Sequence, residues 1–300
     1  MKNFKRVMVA ILAAAAVLCL TAALVLIIFQ VKDYMQNAEN MEKLRASADA
    51  FQTEQTVNAS PDPAETPLPE SADLSSEESV AESVQEIPMP ETEPTPEPIE
   101  NPYRDSFLAN SDMAAWLQIP DTNIDYPVMW TPENEEYYLR RGFDGSRNSN
   151  GCLILDTDSS LEPLTTNLII HGHNMKSGAM FGKLTDYEDE VFFQEHRIIT
   201  LYTPKCQRNY EVIAVFRSQV YKKSDQVFKF YKFFQADTAE EFDDFYQNIK
   251  ALSLYDTGVT AEFGDCFLTL STCSYHVENG RFVVVAKEVE SGDIYLPIQD

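Results

Sequence analysis

Hydrophobic positions divide the chain into four stretches. From Val7 to Phe29 every residue but Thr21 is apolar, a run long enough for a helix to cross a bilayer core. Lys2, Lys5 and Arg6 precede it. Basic residues stay on the cytoplasmic side, so residues 1–6 are expected inside the cell. A cleaved leader would have a shorter apolar core ending at small residues, whereas this run ends Leu26-Ile27-Ile28-Phe29. The pattern therefore predicts a transmembrane signal anchor at 7–29. It places the rest of the chain outside the cell.

Residues 30–103 change character once more. Over 31–51, Val31, Tyr34, Met35, Met41, Leu44 and Ala48 are scattered among mixed charges. This is a short helix leaving the membrane or, more simply, a solvated extension of the anchor. Over 52–103 proline recurs at 61, 63, 67, 69, 88, 90, 94, 96, 98 and 102, among Glu, Ser and Thr. Such a linker cannot bury a core, and its acids repel one another. Some fifty residues in polyproline geometry reach at most roughly 150 Å. It reads as a stalk lifting a domain off the membrane, or as a spacer with no length requirement.

Residues 104–300 carry the period of short strands. Ile124 to Met129 predicts a strand, with Pro127 arguing for an edge. Further strands are predicted at Cys152–Leu155, Asn167–His171, Ile198–Tyr202 and Tyr210–Phe216, then at Cys266–Leu270 and Phe282–Val285. Short helices are expected at Ser111–Leu117, at 132–141 and around Met180–Leu184. Another should run from a Thr185/Glu188 capping box to about Gln194. One longer helix is clear at 238–252, with Ala239, Phe242, Phe245, Tyr246, Ile249 and Leu252 on one face and a Thr238/Glu241 capping box. Seven or so short strands with few helices predict an all-β fold, a barrel or a sandwich.

Charge excludes one class of partner. The formal net charge is −25. Residues 1–45 are net +3, residues 46–103 hold fourteen acids and no base, and the remainder is net −14. No nucleic-acid-binding face is available outside the short N-terminus. The five cysteines form no CxxC pair or zinc-ligand spacing. Cys152 and Cys266 sit in apolar strand patterns and read as buried small hydrophobes.

Candidate chemistry centres on Thr269-Leu270-Ser271-Thr272-Cys273. A lone thiol ends one predicted strand, and Arg281 opens the next. Adjacent strand ends can bring the two together, and a thiolate nucleophile needs a cationic neighbour and a proton partner. Histidine is the natural partner, and there are four: His171, His173, His196 and His276. His196, between Glu195 and Arg197, reads as a surface residue. His276 falls in the turn between the last two strands. His171-Gly172-His173 ends a buried-looking strand. A metal reading of that pair finds no further ligand cluster in the sequence.

At this point the chain resembles the sortases, membrane-anchored cysteine transpeptidases, and most nearly class B. The resemblance covers about residues 108–287. It rests on Tyr126-Pro127-Val128, Tyr138-Leu139 with Phe143, Gly151 to Asp156, and Asn167 to Met175. It continues through Ser177-Gly178-Ala179, Met180 to Leu184, Thr269 to Cys273, and Arg281 to Val284. It implies a closed β-barrel of about eight strands, with the 238–252 helix as the class B insertion. It implies Cys273 as nucleophile, His173 as the catalytic histidine, His171 behind it, and Arg281 at the substrate carbonyl. Leu139, Ser271 and Thr272 would line the substrate groove. Glu135 stands where asparagine is often found, which leaves the groove's polar contacts open. No metal or cofactor is implied. The partners implied are surface proteins bearing a sorting signal, cut after threonine, and an amine of a lipid-linked peptidoglycan precursor. Two other readings are a papain-like cell-wall peptidase and a surface-tethered binding domain with a structural thiol. In the first, cysteine precedes histidine and opens a helix; here it follows by about a hundred residues and ends a strand.

Overall fold

In the computed structural model, which describes residues 2–58 and 98–298, eight strands close a barrel. They are β1 (Met113–Gln118), β2 (Asp125–Met129), β3 (Leu153–Leu155), β4 (Asn167–Gly172), β5 (Ile198–Tyr202), β6 (Cys206–Gln219), β7 (Phe267–Cys273) and β8 (Gly280–Ile294). Their order around the barrel is β1-β2-β3-β4-β7-β8-β6-β5. The β2–β3 and β4–β7 pairs are parallel and the others antiparallel. Closure leaves no open sheet edge. Pro127, which lacks an amide donor, is accommodated all the same. It pairs with Trp116 on β1, while β3 begins its pairing only at Val128.

Strand alternation decides what each face meets. Leu168 and Ile170 on β4, Leu268 and Leu270 on β7, and Phe282, Val284 and Ala286 on β8 share the barrel interior with Leu117, Val128, Leu153 and Val212. Phe267, Val283 and Val285 belong to an outer cluster, covered by helix α4 (Ala239–Leu252) through Phe242, Phe245 and Ile249. Burying each such side chain stabilises the fold by about 1.5–3 kcal/mol. Thr238 and Glu241 form the expected reciprocal capping box.

Four expected helices take other forms. The Met180–Leu184 segment is a turn in which Met180 bridges to Asn174, with a 3-10 turn beginning only at Leu184. Ser111–Leu117 becomes β1, flanked by β2 and β5. Adjacent Trp116 and Leu117 are both fully buried, in the outer and inner clusters respectively. A two-sided sheet position allows that, and it overrides helix propensity. The 132–141 segment keeps only one 3-10 turn, Tyr137–Arg140. The 185–194 segment splits into a 3-10 turn at Leu184–Glu188 and helix α3 (Glu190–Glu195). The cap is Asp189, whose side chain accepts from the Val191 amide, and not Thr185.

Helix α1 (Lys2–Asn58) contains the 7–29 run, and the short helix α2 (Arg104–Ala109) precedes β1. The expected span is met in its helicity alone. Among the described residues no helix is long and apolar enough to cross a membrane, and several side chains of the run lie outside those residues. The continuation of α1 corrects the reading of 31–51 as a solvated extension. Met41, Leu44, Arg45 and Ala48 fall at i, i+3, i+4 and i+7, one helix face. Ala48 is buried against a cluster containing Tyr103 and Trp116, with Met41 and Leu44 packed on it. Arg45 donates from Nε to the Asp125 carbonyl oxygen at 2.9 Å, pairs with the Asp125 carboxylate at 3.0 Å and lies 4.8 Å over the Tyr126 ring. Asp125 also accepts from Trp116 Nε1 at 2.6 Å.

Candidate active site

The ends of β4, β7 and β8 lie side by side. Gly172 pairs with Thr272, and Cys273 with Arg281. His173, the residue after Gly172, therefore comes level with Cys273 on one flank while Arg281 occupies the other. Leu268 and Leu270 fill the interior, so Thr269, Ser271 and Cys273 face outwards. The same parity puts His171 on the outer face of β4 and Arg281 on that of β8. Cys273, His173 and Arg281 are all partly exposed.

Side-chain bonds hold β4 and β7 in register. Thr269 Oγ1 donates to Asn167 Oδ1 at 2.8 Å. Thr272 Oγ1 donates to the Gly172 carbonyl at 2.7 Å, and Asn174 Nδ2 to the Cys273 carbonyl at 2.8 Å. Thr272 is buried and, by strand alternation, turned away from the outer face that carries Cys273. It positions the backbone beneath the histidine. Ser271 does face outwards, but it is buried too, and its Oγ has no hydrogen-bond partner.

His173 Nε2 lies 2.8 Å from the Leu139 carbonyl oxygen. A carbonyl only accepts, so Nε2 carries a proton and Nδ1 is the nitrogen left to gain or lose one. Leu139 thus contributes its backbone as well as a partly exposed side chain. Sequence reading missed this role because a carbonyl leaves no mark in residue identity. Gly151 shows how tightly the carbonyl is held. Its φ is +64°, and a methyl group there would collide with the Leu139 carbonyl and meet the Tyr138 carbonyl at 2.9 Å. We expect Gly151→Ala to destabilise the fold by about 2–3 kcal/mol and, by shifting Leu139, to lower turnover about tenfold. Thermal unfolding and steady-state kinetics on one preparation check both; unchanged Tm and turnover would refute the expectation.

Arg281 Nη1 donates to the carbonyls of Asn279 and Gly280, at 3.3 and 3.1 Å. Asn279 is left-handed, with φ +57°. The Ser274 amide closes the same turn onto the Gly280 carbonyl at 2.9 Å. The remaining guanidinium N–H groups are donors of the kind an oxyanion requires.

The other histidines are occupied elsewhere. His276 is exposed in the β7–β8 turn and bonds Ser274 Oγ at 2.9 Å. His196 stacks on Phe192 with 4.0 Å between ring centroids. His171 Nε2 lies 3.0 Å from Asp156 Oδ2, with the Glu135 carboxylate close by. Burial, and then the charge of Asp156, raise the Glu135 carboxyl above the usual carboxylate range. Among the described residues every cysteine is free. Burial pushes the Cys152 thiol up to about 12, which leaves it unreactive.

A thiol, an imidazole and a guanidinium on three adjacent strand ends of an eight-stranded barrel can carry out acyl transfer. A profile of the sortase domain matches residues 117–289. The chain belongs to the sortase family. Sortase B of Listeria monocytogenes is 33% identical over 195 residues, covering 64% of this chain and 75% of that protein. The crystal structure of Bacillus anthracis sortase B in complex with AAEK1 superposes with a TM-score of 0.55 at 31% identity, covering 64% of this chain and 88% of that one. Clostridium perfringens sortase B superposes with a TM-score of 0.56 at 26% identity, covering 62% and 99%. Within the family this chain is a class B sortase, a cysteine transpeptidase.

Proposed function

We propose that the chain is a membrane-tethered enzyme that joins surface proteins to the cell wall, with Cys273, His173 and Arg281 as its catalytic residues. The observation that carries the reading is the level pairing of Cys273 with Arg281 and of Thr272 with Gly172. Cys273 Sγ, as thiolate, attacks the carbonyl carbon of a threonine in the sorting signal. Arg281 stabilises the oxyanion that forms. His173, working through Nδ1, gives its proton to the departing amine as the C–N bond breaks, leaving a thioester on Cys273. An amine of a peptidoglycan precursor then attacks, loses its proton to His173 and expels the thiolate.

The apolar run at 7–29, with Lys2, Lys5 and Arg6 before it, supports an anchor with a cytoplasmic N-terminus and an extracellular barrel. Leu139 and Ser271 border the groove in this reading. The test uses the full chain in detergent with a fluorogenic Thr-Gly sorting peptide and an oligoglycine amine. Cleavage should be accompanied by a transfer product. Arg281→Lys should lower kcat/KM about 10²–10³-fold, because a lysine cannot reproduce the guanidinium fork. Absence of any transfer product would refute the transpeptidase reading, and near-normal activity of Arg281→Lys would refute the role of Arg281.

A further inference from the structure

Two residues before the catalytic histidine, three ligand-type side chains converge from three separate segments. His171 is on β4, Asp156 directly follows β3, and Glu135 is on the loop after β2. One nitrogen and two carboxylate oxygens of this group all lie within 4.8 Å of one another. The β3–β4 pairing fixes two of them, since Ile154 pairs with His171 and the Asp156 amide donates to the Ile169 carbonyl.

We propose that Glu135, Asp156 and His171 form a binding site for one divalent transition cation of the Zn²⁺ type. The geometry supports it first. Ligands at about 2.1 Å from a tetrahedral zinc stand about 3.4 Å apart, within a few tenths of an ångström of the closest pair in this group. The separation of His171 Nε2 from Asp156 Oδ2 is 3.0 Å. Charge supports it next. Two carboxylates face one imidazole, and among the described residues neither carboxylate ion-pairs with a lysine or arginine. Asp158 and Glu136 deepen the negative field at Glu135. The mixed nitrogen and oxygen set favours a borderline ion over Ca²⁺, which prefers six or more oxygens.

Occupancy would reach the catalytic residues through the backbone. Glu135 lies just before the 3-10 turn Tyr137–Arg140 that carries Leu139, and the Leu139 carbonyl holds His173. A metal bridging Glu135 to β4 would clamp that turn against the strand and fix the His173 ring. Metal binding and transpeptidation are separable, so either can fail without the other.

The test is calorimetric titration of Zn²⁺ into the chelator-treated full chain in detergent, with Co²⁺ absorption as a spectroscopic probe. One tight equivalent is expected, together with a Tm rise of several degrees at saturating Zn²⁺ and Co²⁺ d–d bands. His171→Ala should abolish tight binding, and Glu135→Gln should weaken it at least tenfold. Glu135 lies on a surface loop, so its variant keeps the test usable if Asp156→Asn fails to fold. Absence of a tight equivalent, or tight binding that survives both His171→Ala and Glu135→Gln, overturns the proposal. The latter result assigns the ion to acidic residues elsewhere.

Discussion

Cys273→Ala should reduce cleavage of a threonine-glycine sorting peptide at least about 10⁴-fold in kcat/KM, with the fold unchanged. The magnitude follows from what the thiolate does. In the proposed mechanism every covalent step passes through its sulfur, and removing a nucleophile that works as part of a unit costs about as much as removing the whole unit. A factor of 10⁴ corresponds to about 5.5 kcal/mol of transition-state stabilisation. The fold should survive because Cys273 is only partly buried at a strand end, and its backbone carbonyl keeps the bond from Asn174. Equal Tm values for the variant and the parent, with no acyl-enzyme detectable by mass spectrometry, would complete the result. Residual cleavage within tenfold of the parent would move the chemistry to another residue.

His173→Ala should lower kcat/KM by about 10²–10⁴-fold, the usual range for losing a positioned acid–base group. Alanine, however, removes two things at once, the titrating Nδ1 and the bond from Nε2 to the Leu139 carbonyl. His173→Gln separates them, since a glutamine amide can still donate to that carbonyl but cannot titrate. The expected result is near-parental thermal stability for the glutamine variant with a loss of activity close to that of alanine. If glutamine restored most of the activity, His173 would be holding the loop and not moving a proton.

Much of this site can be read from the chain because its residues lie at the ends of strands with plain alternation. The apolar positions of 267–270 and 282–285 announce two strands, and a thiol followed eight residues later by an arginine puts the two groups across one turn. The choice of His173 over His171 comes from resemblance; periodicity alone puts both on one face. Backbone contributions are not visible in the same way. The Leu139 carbonyl that fixes the His173 tautomer, and the φ of Gly151 that makes room for it, belong to the path of the main chain and not to residue type. Thr272 illustrates the parity of strands: one step from Cys273, it points to the opposite side. The Glu135, Asp156 and His171 group was also illegible, because its members are brought together by strand pairing across intervals of about fifteen and twenty residues. Local pattern misled where tertiary pairing decided, as at Ser111–Leu117. It was sufficient where a single face and its caps agreed, as in α4.

The docked face of α1 changes what the proline-rich segment can do. With residues 7–29 in the bilayer, as proposed, the helix meets the barrel at Met41, twelve residues past Phe29. At 1.5 Å per residue that is a rise of only about 18 Å. Residues 59–97 then join a helix already seated on the barrel to the first residues of that same barrel. The stretch read as a stalk or spacer lies largely outside the described residues, and in the proposed arrangement helix α1 acts as a short mast that sets the height of the barrel. Such a mast also fixes heading. Each residue added between 29 and 41 would swing the catalytic mouth by about 100° around the helix axis, so the register of that short span determines which way the enzyme faces along the membrane.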